Sequence, residues 1–364
     1  MIAHLASLLG GLVNGASPIA AFSSALLGLS GVAGIAVLSR FLLSPPWSGH
    51  VLKGATIALV VLLAISLTGY FIPLDRYIEL GDNRQYYEAL RLALLWPTRL
   101  LTAGLGQLAW EHANIAGYFF ALGLIFTLES IAPGKQRHGL KWIFCSFLIA
   151  AVFLTGSRNA WVVLIVSLPL LLIFRPPSLF LKTLGILLLG FAMGQGCLEL
   201  KKHLLESTPA TATSPVVPTV DQHVSGLIER GSMGRSGTYP AIWTDLENNR
   251  LLGKGLAETG KPFANMMHEH SIFLAAFRGG GFIALGALLA IIALAAWSAL
   301  RLFFTGTRWP LLLLAATVVH CTFDQSSILR YSGKHLFLFF WIAVCVPLLV
   351  KPTPRPSSPD RAIP

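Results

Sequence analysis

Apolar residues occur along this chain in long runs, separated by short polar or basic pieces. Runs of bilayer length, or nearly so, fall at 18–43, 51–73, 111–131, 141–156, 159–175, 180–198, 279–303, 308–324 and 335–350. A helix needs about 20 apolar residues to cross a bilayer, so these runs predict about nine spans. Residues 1–14 are too short for a full crossing and predict a short, re-entrant or interfacial piece. There is no strand pattern and no internal repeat. The expectation is an all-α, polytopic membrane protein forming a single domain over residues 1–364.

The linkers set an orientation. Residues 133–141, 175–182, 301–308 and the tail from Lys351 each carry two or more basic residues, which places them in the cytoplasm. Alternation then puts 74–110, the junction at 156–159, the large segment 199–267 and residues 325–334 outside. The large segment opens with "STPATATSPVVPTV", whose Pro, Ser and Thr content predicts an extended stretch. It continues with "GRSGTYPAIWTDLENNRLLGKGL", which predicts a short helix at 239–250, lying over the outer membrane face and carrying Tyr239 and Trp243. "QYYEALRLALLW" in the segment 74–110 has an interfacial helical pattern.

Composition sharpens this picture. The 364 residues are 54% hydrophobic and 12% charged, against roughly 25% charged in a soluble domain. The net charge of +11 is spread over short linkers, so it reads as membrane topology and an anionic ligand; membrane lipids, not nucleic acid, are the expected partners. Cys145, Cys197, Cys321 and Cys345 show no CxxC or Cys/His ligand spacing, so neither a metal nor a disulfide framework is expected. No basic n-region precedes the first apolar run, and no cleaved signal peptide is expected.

Most of the polar residues set among these runs sit at the outer ends. Arg158, in "TGSRNAW" at a junction of two spans, serves either as a headgroup anchor or as a bidentate phosphate ligand; Gly156 would let backbones approach there. Arg235, in "GSMGRSGTYPAIW", is either a solvated loop residue or a second anion ligand, with Gly and Ser leaving room around it. His268 and His270, in "MMHEHSIFLAAFRGGG", lack a third metal ligand, and either could be a general base or an interfacial histidine. Asn114 in "WEHANIAGYFF", and His320 and Asp324 in "VVHCTFDQSS", suit helix-end caps or packing hydrogen bonds. No HExxH, Walker A, GxSxG or paired DxD motif occurs, so phosphate binding would rest on arginines.

In order, "TGSRNAW", the "GR" that precedes a tryptophan and "LLGKGL", and "HEHSIFL" running into "RGGGFIALG" resemble the O-antigen ligase and polymerase superfamily of bacterial membrane glycosyltransferases, over residues 110–300. The resemblance implies a GT-C-like fold of 9–12 transmembrane helices capped by a periplasmic helical loop, fuller members having roughly twelve spans. It also implies a multi-pass protein of the bacterial inner membrane whose active site faces the periplasm. Arg158, Arg235 and His270 match the family's junction arginine, loop arginine and motif histidine, while Ser271 replaces its usual asparagine.

The implied activity is transfer of a glycan from an undecaprenyl diphosphate carrier to an acceptor hydroxyl, with inversion and without metal or other cofactor. On this reading Arg158 and Arg235 bind the diphosphate and His270 is the base, with His268, Tyr239, Trp243, Asp324 and Asn114 lining the substrates. The acceptor is lipid A-core oligosaccharide for a ligase, another lipid-linked repeat for a polymerase, or protein for an O-oligosaccharyltransferase. A lipid-linked glycan transporter is the alternative class, and it would show discontinuous helices in symmetric positions.

Overall fold

Inside an apolar medium every backbone amide must find a partner within its own segment, and a long apolar run therefore folds as a helix. The computed structural model describes residues 1–44, 54, 56–61, 63–64, 113–131, 139–173, 175–206, 238–259, 269, 271–324 and 335–350. Among these, every regular element is a helix: α1 (Ile2–Val13), α2 (Pro18–Leu42), α3 (Ala113–Glu129), α4 (Gly139–Leu154), α5 (Arg158–Leu172), α6 (Pro177–Glu206), α7 (Thr238–Asp245), α8 (Ile272–Phe304), α9 (Trp309–Asp324) and α10 (His335–Leu349).

Three helices are long and apolar enough to cross a membrane: α2, the Pro177–Leu200 part of α6, and α8. The other apolar helices have 10–17 residues. At 1.5 Å per residue even the longest spans roughly 26 Å, short of a hydrocarbon core of about 30 Å. Of the nine expected spans, three therefore reach full length within the described residues. Helix boundaries depend on caps and turns, which a run of apolar residues does not reveal.

Three boundaries differ from expectation. Helix α6 continues past residue 198 to Glu206, because Glu199, Leu200, Lys201 and Lys202 are good helix formers although polar residues end the apolar run. Helix α7 stops at Asp245, and 246–252 is a series of turns, since Asn248 and Asn249 favour turns over helix. Helix α8 begins at Ile272 instead of 279, but is interrupted at Gly280 and Gly281.

A three-residue turn joins α4 to α5, and both pack against α3. Helix α9 packs against α5 and α8, α10 against α9 and α2, and α6 against α4. The α4–α6 contact uses Gly190 and Gly194 of α6, one helical turn apart, where added side chains would strike Ile149 and Phe153. This is the small-residue spacing that lets membrane helices approach closely. The main core is built of Tyr118, Phe120, Leu124, Ile125, Leu148, Ile149, Phe337 and Phe340 with their neighbours. Helix α1, too short to cross a bilayer, lies against α8 and α2.

Candidate functional site

The α4–α5 junction is a capped turn with little slack. Gly156 takes φ 60, a conformation that favours glycine, and reverses the chain. Thr155 Oγ1 donates to Val152 O at 2.7 Å and accepts from Ser157 N at 3.2 Å. Ser157 is the N-cap of α5: its Oγ accepts from Ala160 N at 3.2 Å and donates to Asn114 Oδ1 at 2.9 Å. Arg158 follows as the first residue of α5, half-buried. Gly117 of α3 makes a close approach to this junction: a Cβ there would sit 2.8 Å from Ser157 Cβ and 2.9 Å from Ala160 Cβ. The backbone carrying Arg158 is thus held by two helices and a cap.

Beside it lies a buried polar cluster. Asn159 Nδ2 donates to His320 O at 3.0 Å and meets His320 Nδ1 at 2.8 Å. Because the carbonyl can only accept, the amide nitrogen must face His320, so Nδ1 is the acceptor and the ring proton sits on Nε2. The Tyr118 ring stacks on His320 at 4.4 Å. Its hydroxyl lies 2.7 Å from Thr317 Oγ1, which spends its own proton on Leu313 O, so Tyr118 is the donor. Asn159 Oδ1 is buried with no hydrogen-bond partner among the described residues.

A second centre forms where the loop after α7 docks into the break of α8. Gly281 has φ 60 and ψ −157, and the freed backbone groups pair with the loop: Phe282 N donates to Arg250 O at 2.9 Å, Lys254 N to Arg278 O at 2.7 Å and Gly255 N to Gly279 O at 2.9 Å. Asn14, the C-cap of α1, donates to Gly253 O at 2.9 Å, and the loop is held between α1 and α8. Any side chain at Gly253 would strike the backbone of 278–281.

Charged side chains meet at this docking point, and the Arg278–Glu269 pair is almost wholly buried. Arg278 NH1 binds Glu269 Oε1 at 2.8 Å and Glu258 O at 2.9 Å, and its Nε binds Asp245 Oδ2 at 3.1 Å. Asp245 also takes Lys254 Nζ at 2.6 Å. The Arg278 side chain is 4% exposed and that of Glu269 0%. Two cations and two carboxylates balance, as burial of charge requires.

The predicted residues divide accordingly. Arg158 and Asn114 meet at the junction, bridged by Ser157. Tyr239 and Trp243 lie on α7, 63% and 48% exposed, and Arg250 stacks over the Trp243 ring at 4.1 Å. Asp324 ends α9, four residues beyond His320. Arg235, His268 and His270 lie outside the described residues, although Glu269, between the two histidines, is described.

The network of Arg278, Glu269, Asp245 and Lys254 was not foreseen. One signal for it was present: an arginine in the apolar stretch "FLAAFRGGGF" requires a nearby carboxylate if the stretch is buried. Among the described residues, no three His, Cys, Asp or Glu side chains converge as metal ligands. No family model, no curated protein and no solved structure matches the chain.

Proposed function

We propose that this chain is a membrane glycosyltransferase of the O-antigen ligase type, moving a glycan from undecaprenyl diphosphate to an acceptor hydroxyl at the periplasmic face of the bacterial inner membrane. The favoured acceptor is lipid A-core oligosaccharide; a lipid-linked repeat or a protein hydroxyl defines the alternatives within the same superfamily. Arg158 and Arg235 hold the diphosphate. His270 takes the proton of the acceptor hydroxyl as its oxygen attacks the anomeric carbon. The bond from that carbon to the phosphate oxygen breaks, the diphosphate departs with the electron pair, and the configuration inverts. Cations fixed before the reaction stabilise that departing charge without reorganisation cost.

The observation that carries this reading is the Arg158 backbone, pinned by the Ser157 cap and the Gly117 contact at the meeting point of α3, α4 and α5. A loop arginine would first have to be ordered before it could act as a clamp. The interrupted helix α8 is the feature that a transporter would share. Its freed backbone groups are taken by residues 250–255, however, so the break serves to dock a loop.

Reconstitution with an undecaprenyl diphosphate glycan and each of three acceptors tests the proposal, comparing the unaltered protein with Arg158→Ala, Arg235→Ala and His270→Ala. The new glycosidic product should form with one acceptor, and His270→Ala should lower turnover by about 10²–10⁴-fold while donor binding remains measurable. Full activity of His270→Ala at normal protein levels would remove the base assignment. Translocation of the glycan across vesicles, with no product on any acceptor, would establish the transporter instead.

A further inference from the structure

We infer that Arg250, Trp243 and Tyr239 form a binding site for the phosphate of an anionic membrane-lipid headgroup, an inference that rests on the membrane part of the proposed reading and on none of its chemistry. The ion pairs around the docked loop join Arg278 to Asp245 and Glu269, and Lys254 to Asp245, and they leave Arg250 out. Arg250 is half-buried, and its Nε is buried with no hydrogen-bond partner among the described residues. The guanidinium is held instead over the Trp243 ring, 4.1 Å from its centroid. A partly buried cation without a carboxylate calls for a counter-charge, and a planar guanidinium takes a phosphate through two parallel hydrogen bonds.

The surroundings favour a lipid over a free anion. On α7, Thr238 and Ile242 are buried, while Tyr239 and Trp243, one turn apart, are exposed. The Trp243 ring meets that of Phe282 edge-on, at 6.3 Å. Between Ile272 and Gly281 of α8 only Phe273 is even partly exposed; Phe282 is the first large apolar side chain of this helix to be exposed, and Leu289, Leu294 and Trp297 continue that surface. Near its far end Arg301 stacks over the exposed Trp297 ring at 5.3 Å. Phe282 and Arg301 are 19 residues apart, roughly 28 Å of helix, against a hydrocarbon core of about 30 Å. Two arginine–tryptophan stacks thus bracket one hydrocarbon thickness, at the levels where Trp and Tyr favour headgroups. Arg250 sits at one of those levels with its charge unmatched, which selects a headgroup of net negative charge.

Addition of phosphatidylglycerol to the full-length protein in detergent tests this. It should raise the unfolding temperature more than phosphatidylcholine does. Arg250→Gln should weaken the apparent affinity for phosphatidylglycerol about five-fold, the worth of one basic residue at an anionic surface. Arg250→Lys keeps the charge without the planar fork and should recover part of the loss. Equal responses to the two lipids, or an Arg250→Gln variant as responsive as the unaltered protein, would overturn the inference. So would an equal response to inorganic phosphate at the same concentration, which would assign the site to a free anion. Displacement of phosphatidylglycerol by the undecaprenyl diphosphate glycan would assign Arg250 to the donor and overturn it as well.

A second readout locates the lipid. Phosphatidylglycerol brominated on its acyl chains should quench the tryptophan fluorescence of the unaltered protein more than that of Trp243→Phe. Equal quenching of the two would defeat the proposal even if Arg250→Gln failed to fold. Neither measurement depends on turnover. A protein that binds phosphatidylglycerol through Arg250 and forms no glycosidic product therefore loses the glycosyltransferase reading and keeps this one.

Discussion

Arginines at the two ends of this helical bundle do different work. At one end, Arg175 binds the Glu129 carboxylate at 2.8 Å, Lys141 Nζ binds Ser130 O at 3.1 Å, and Arg308 donates to Ile173 O at 3.4 Å. Each of these cations meets a group at or just beyond the last turn of α3 or α5, where unpaired carbonyls and the helix dipole favour positive charge. At the other end, Arg278 binds the carboxylate of Asp245 at the end of α7, a loop carbonyl and the carboxylate of Glu269, so one side chain holds three separate pieces of chain. The first arrangement seals individual helices. The second ties α7, the loop after it and residue 269 to one point on α8. Within the second, the Arg278–Glu269 pair is almost fully removed from solvent.

Removing one partner from each arrangement measures that difference. Arg278→Ala leaves Glu269 buried without its cation, and breaking such a pair costs about 3–5 kcal/mol. Thermal unfolding in detergent should show a greater loss of stability for this variant than for Gly281→Ala or Arg308→Ala, with the 250–259 loop becoming open to proteolysis. A near-normal unfolding temperature would mean that the network does not hold the loop in place.

An intermediate effect is expected at Gly281, which has φ 60 and whose added Cβ would meet Leu251 O and Arg250 O. Gly281→Ala should destabilise the docked loop by roughly 1–3 kcal/mol through backbone strain and displacement of its partner. Loss of protection at the Phe282 and Lys254 amides, measured by hydrogen exchange, would localise the damage. Uniform loss across the bundle would show that the loop and bundle unfold as one unit.

The smallest effect should come from the opposite end. Arg308→Ala removes one long hydrogen bond to the Ile173 carbonyl and a cation–π contact with the Phe303 ring, both at a partly exposed position. Its cost should be about 0.2–1 kcal/mol, with turnover unaffected. A large loss of turnover in this variant would contradict the division of labour between the two ends.

Much of the helical layout was legible because it is local. The runs at 18–43, 159–175 and 308–324 match α2, α5 and α9 closely, since apolar length and neighbouring turn residues act over a few positions. The Arg158 junction was legible for the same reason: a gap of two residues between two apolar runs leaves room only for a tight turn. Gly117 was not, because its role is visible only when α3 is laid against Ser157 and Ala160. Nor was the pairing of Asn159 with His320, 161 residues apart in the chain.

What the sequence determined by itself, then, is an all-helical chain with long apolar elements, and an arginine fixed at the head of one of them. Hydrophobic runs and caps carry that information because each depends on neighbouring residues. The tertiary structure alone decided that α8 breaks at Gly280 and Gly281, that residues 250–255 fill the break, and that Arg278 meets Glu269 and Asp245 there. A run of apolar residues does not reveal where a helix exchanges its own hydrogen bonds for those of a distant loop. A buried charge likewise demands a partner without specifying which carboxylate the folded chain will bring to it.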